Sequence, residues 1–133
     1  MITVLITSDP RYPINKERIR EQVEKTLVEM RVVGDVEVSI TVVGDRKMKE
    51  LNSKFRQIDD TTDVLSFPLE ESDSNESGFL NFPTNVLYLG DIVLSYPQAI
   101  VNASTYNRLV DDEINTLVEH SILHLLGIHH EGD

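Results

Sequence analysis

Val36, Val38, Ile40 and Val42 alternate with mostly polar neighbours. That period of two is met by a half-buried strand, because successive side chains leave a strand on opposite faces. The flanking segments carry a different period. Ile19, Val23 and Leu27 lie four apart and form one face of a helix expected from about Lys16 to Met30, with Asn15 as its cap. A second helix begins at Gly44-Asp45, with Asp45 as the candidate cap and Met48, Leu51 and Phe55 as its apolar stripe. Further strands are expected at Ile2 to Thr7, at Val64 to Phe67 before Pro68, and at Val86 to Leu94 with Gly90 inside. Pro97 opens a helix, and a break near Asn107 precedes the last one. Asp111, Asp112 and Glu113 suit that helix's positive end, and Gly127 can terminate it past about Leu126. Glu70 to Gly78 is acidic, Ser-rich and without period, so it is expected to be a mobile loop.

Helices and strands so interleaved give α/β or α+β, with four strands in one sheet. A chain of 133 residues suits a single domain, 1–133. It has no cysteine, which removes disulfides, thiolate metal sites and a Cys nucleophile together and suits the reducing cytoplasm. No basic start followed by an apolar run marks a signal peptide, and no apolar stretch approaches the roughly 20 residues that cross a bilayer. Neither secretion nor a membrane partner is expected.

The formal net charge of −11 is unevenly spread. Up to Arg56 there are 11 basic and 9 acidic residues, and from Gln57 onward 1 basic and 14 acidic. Arg46, Lys47, Lys49 and Lys54 fall largely off the apolar stripe of the second helix. An acidic protein of this kind can still present a local basic face to RNA, although acidity alone also serves solubility.

All four histidines fall in HSILHLLGIHH, from His120 to His130. Residues i and i+4 stack on one helical face, so His120 and His124 can aim at one point. Gly127 then lets the chain turn back, and His130 can close a third side. Three neutral imidazoles bind Zn²⁺ and leave a fourth position for water, and they also accept nickel, cobalt and copper. His129 can replace His130, add a fourth ligand or face solvent. Helix-borne sites of zinc peptidases have similar spacing, but there a Glu follows the first His as general base. Here that position is Ser121, which argues for another substrate.

The segment LNSKFRQIDDTTDVLSFP, Leu51 to Pro68, ends the basic helix. Its Arg56 can bind a phosphate bidentately, or pair with Asp59 or Asp60 at the surface. Thr62, Asp63 and Ser66 read as turn and strand-start residues. Taken with LGDIVLSYPQA around Asp91 and with HSILHLLGIHH, this segment resembles the YbeY family of endoribonucleases, the rRNA maturation factors. The three segments stand in the family's order and cover nearly the whole chain.

The resemblance implies an α+β fold with a four-stranded mixed sheet and a zincin-like, metal-dependent hydrolase site on the last helix. It implies one Zn²⁺ on His120, His124 and His130, and Arg56 as the basic residue of the substrate cleft. It implies cytoplasmic work on single-stranded RNA, notably 16S rRNA 3′-end maturation and ribosome quality control, with ribosomal partners and no DNA. The family commonly has an acid where this chain has His129, and often continues past the last residue here, Asp133. Two rivals to a nuclease are a ribosome-assembly factor whose metal only holds the fold, and a metallopeptidase.

Overall fold

The computed structural model of the chain describes residues 1–69 and 86–128; the segment expected to loop at 70–78, and His129 and His130, lie outside the described residues. In order along the chain are β1 (Ile2–Ser8), α1 (Lys16–Glu29), β2 (Val36–Val43), α2 (Asp45–Arg56), β3 (Val64–Pro68), β4 (Leu87–Ser95), α3 (Tyr96–Thr105) and α4 (Val110–Leu125). The four strands form one mixed sheet in the order β1-β2-β4-β3. β1 and β4 both run parallel to β2, and β3 runs antiparallel along the outer side of β4. The expected α+β class and four-stranded mixed sheet are therefore what the chain adopts.

Strand alternation divides the sheet into two unequal faces. Val36, Val38, Ile40 and Val42 are all buried, with Val4, Ile92 and Leu94 in the same core cluster. Against this face pack α1, through Ile19, Val23 and Leu27, and α4, through Ile114, Leu117, Val118, Ile122 and Leu125. Each such side chain contributes about 1.5–3 kcal/mol by leaving water. The opposite face holds a smaller cluster of Met48, Leu65 and Val93, with Val43, Leu51 and Phe67 partly buried around it. That cluster docks α2 over β3 and β4. Phe55, expected on the apolar stripe of α2, is 51% exposed and meets Phe67 edge-on, ring centroids 5.1 Å apart.

The caps follow the sequence with one correction. Asn15 caps α1 by accepting from the backbone N–H of Arg18 at 3.1 Å. Ser95 caps α3, with Pro97 in its first turn. At α2, Gly44 rather than Asp45 is the N-cap, and no side chain caps it. Asp45 Oδ1 is committed elsewhere: it accepts from Thr61 Oγ1 at 3.0 Å, Ser95 Oγ at 2.9 Å and Gln98 Nε2 at 3.3 Å. A tertiary polar node outcompetes the local cap there. The break before α4 is Asn107, in the left-handed region at φ 56°, a conformation that Asn tolerates better than most residues.

Gly90 is obligatory. The register shifts at Glu37/Val38, so that Tyr88 and Gly90 face consecutive residues of β2. Gly90 has φ 139°, and a Cβ on it would lie 2.2 Å from the carbonyl oxygen of Phe67. The bulge and the close approach of β3 both require its missing side chain.

Candidate functional site

Three separate segments, the end of α2, β3 and α4, meet at the β3 edge of the sheet. α4 is anchored to the large core, and its His120 and His124 lie one turn apart on the flank left exposed by that packing. Ser121 between them is buried, at 4% exposure. Opposite stands Arg56, the last residue of α2. Together Arg56, Val64, Leu65, Ser66, His120, Ser121 and His124 line a cavity of about 440 Å³. Three of the four residues singled out from the sequence thus share one cavity. His130, the fourth, lies outside the described residues.

The turn after Arg56 is held by hydrogen bonds rather than by apolar packing. Gln57 takes the left-handed conformation at φ 57°, and its N–H donates back to Ser53 at 3.1 Å. The buried Asn52 donates from Nδ2 to the carbonyl of Asp60 at 2.9 Å. Thr61 donates to Asp45, as above. The carbonyl of Asp63 accepts from Ser95 N at 2.9 Å, and its Oδ2 from Asn102 Nδ2 at 3.0 Å. Asn102 Nδ2 also reaches Glu113 Oε2 at 3.2 Å. Glu113, 3% exposed, lies 3.1 Å from Arg108 Nε as an ion pair. Asn52, Asp45 and Asn102 therefore fix residues 57–63, and with them the approach of Arg56 to the cavity.

The alternative expected for Arg56, a surface pair with Asp59 or Asp60, is not what forms. Asp59 lies 3.9 Å from Lys49, and Asp60 accepts from the backbone N–H of Thr61 at 2.8 Å. Arg56 makes no ion pair among the described residues, and it lines the cavity. Arg46, Lys47, Lys49 and Lys54 are all exposed along α2, as its periodicity suggests. Among the described residues, Lys47 and Lys49 make only long surface pairs, with Glu50 at 4.0 Å and Asp59 at 3.9 Å.

Ser66 is the residue that sequence reasoning misplaced. It does not serve as strand-start chemistry. Its Oγ lies 2.9 Å from Nδ1 of His124. The signal was the alternation of β3 itself: Leu65 and Phe67 go to the α2 cluster, so Ser66 must face α4.

As donors, His120 and His124 fit a transition metal: both are imidazoles, one helical turn apart, opening on a shared cavity. Among the described residues no group of three or more His, Cys, Asp or Glu could hold a metal ion. A full site needs a further donor, for which His130 is the expected candidate. No carboxylate is among the described residues that line the cavity. Among the described residues, too, no helix is long and apolar enough to cross a membrane.

A family model described as Endoribonuclease YbeY matches residues 6–133. A relative named Endoribonuclease YbeY from Dehalococcoides mccartyi is 36% identical, over 98% of this chain and 84% of its own length. Its namesake from Moorella thermoacetica is 37% identical, over 90% of this chain and 78% of its own. The solution structure of a protein from Thermotoga maritima superposes with a TM-score of 0.61 at 29% identity, covering 98% of this chain and 77% of that one.

Proposed function

The chain belongs to the YbeY family of endoribonucleases, and on that premise we propose that it cleaves single-stranded RNA at the cavity between Arg56 and the histidine helix. The observation that carries this reading is the convergence of Arg56, His120 and His124 on one cavity from helices far apart in sequence. The arrangement suits a phosphodiester. The Arg56 guanidinium can grip two phosphate oxygens and stabilise charge that builds on them in the transition state. Arg46, Lys47, Lys49 and Lys54 extend the positive surface along α2, where the backbone of a single strand can follow. Val64 and Leu65 give the cavity an apolar wall beside these polar groups.

His120, His124 and His130 would hold one divalent transition metal, Zn²⁺ by preference. It would supply Lewis acidity toward a phosphoryl oxygen and an activated water. The family resemblance supports 16S rRNA 3′-end maturation and ribosome quality control as the setting, in the cytoplasm, with ribosome-associated partners. The Cys-free composition suits that compartment. A peptidase reading is disfavoured, since Ser121 is buried where the peptidase base would stand.

The test is a parallel assay of wild type, His124→Ala and Arg56→Ala on labelled single-stranded rRNA fragments, with bound metal quantified. Wild type is expected to hold metal and cleave, and His124→Ala to do neither. Arg56→Ala is expected to keep its metal and lose about 100-fold in rate, as when one transition-state donor is removed. Metal loss that unfolds the protein, with wild type and Arg56→Ala both cleaving no faster than His124→Ala, would favour the assembly-factor reading instead.

A further inference from the structure

We propose that Ser66 is a positioning residue for His124, accepting a hydrogen bond from its Nδ1–H and so presenting Nε2 as the lone-pair nitrogen of the cavity. The inference deepens the metal reading of the cavity and rests on it.

Two observations support it. Ser66 Oγ lies 2.9 Å from His124 Nδ1, and both residues line the same cavity. The second is the way β3 is held. Its antiparallel register with β4 pairs Leu65 with Val93, Ser66 with Ile92 and Phe67 with Asp91. Leu65 and Phe67 pack into the Met48 cluster beneath α2, and Ser66 points to the other face. One strand is thus gripped from the Arg56 side by alternate residues, and it meets the histidine helix with the residue between them. A short strand held in this way fixes the Ser66 hydroxyl to within its rotamer freedom.

A neutral imidazole carries one proton on two nitrogens, and the hydrogen bond at one decides what the other can do. If Nδ1–H donates to Ser66, the lone pair lies on Nε2, and that nitrogen can ligate. If instead the hydroxyl donates to Nδ1, the proton sits on Nε2 and ligation through it is blocked. Orienting partners of this kind typically contribute 10–100-fold to metal affinity.

The test has two arms, both on the full chain. Nitrogen-15 NMR of the imidazoles in metal-free wild type is expected to show His124 mainly as the Nδ1–H tautomer, and Ser66→Ala to shift it toward a mixture. Competition titration with zinc is expected to give a 10–100-fold weaker affinity for Ser66→Ala. Ser66→Thr, which keeps the hydroxyl on a strand-favouring residue, is expected to restore most of it. An Nε2–H tautomer in wild type overturns the proposal. So does a Ser66→Ala affinity equal to wild type while His124→Ala loses zinc. Should His124→Ala itself bind zinc as tightly as wild type, it is the metal reading that falls. The wild-type tautomer and Ser66→Thr decide the matter even if Ser66→Ala folds poorly.

Discussion

The two faces of the sheet hold the two sides of the cavity by different means. The histidine side rides on α4, whose apolar residues enter one continuous core shared with α1, β1, β2 and β4. The arginine side rides on the end of α2, which packs through Met48 against Leu65 and Val93, and the turn after it is tied by hydrogen bonds that Asp45 accepts and that Asn52 and Asn102 donate. Apolar packing is non-directional and sums over many contacts, so it fixes a whole helix and tolerates small local losses. Hydrogen bonds are directional and few, so they set one turn closely but give way one at a time. The metal-ligand candidates therefore sit on the stiff side, and Arg56, proposed to grip phosphate, on the side with some freedom to adjust.

Substitutions can break that contrast. The largest effect is expected for Ile122→Ala, a fully buried side chain of the large core, at about 4 kcal/mol of global stability by chemical denaturation. Met48→Ala removes a side chain equally buried, but the cluster around it is small and partly open, so about 2–3 kcal/mol is expected. The same loss from both would mean that the two faces are one cooperative unit. A smaller effect, about 2 kcal/mol, is expected for Asp45→Ala, which strips three donors of their acceptor. It should also raise KM for RNA more than it changes metal content, because it frees the turn that carries Arg56. The smallest effect concerns Asp9. Arg11 binds its carboxylate at both oxygens, at 3.0 and 2.7 Å, and holds its pKa at about 2 against the ordinary 3.8. A depressed carboxylate contributes stability above pH 3.8 that is lost as pH falls through about 2. In Arg11→Ala the Asp9 titration followed by NMR should return toward 3.8, with little change in stability near neutral pH.

Much of this is legible in the sequence, because local periods govern it. The alternation from Val36 to Val42 and the spacing of Ile19, Val23 and Leu27 each name a buried face without help from distant residues. His120 and His124 share a flank through helix geometry alone. What escapes is decided across the fold. Asp45 reads as a cap by its position, yet its acceptors are taken by Thr61, Ser95 and Gln98 once β4 and α3 dock beside it. The facing of Ser66 follows from β3 alternation, but its partner depends on where α4 comes to rest. Phe55 keeps the helical period and still remains half in solvent, because the sheet beneath α2 ends at β3.

The placement of the histidines on α4 also sets a schedule. α4 is the last of the described elements to be synthesised, long after Arg56 and β3. Its docking is clasped by α1, through Arg18 and Asp112 at 2.8 Å, so the first helix made waits for the last. Until that clasp closes, a nascent chain owns one wall of the cavity and lacks the other, and chemistry that needs both cannot begin.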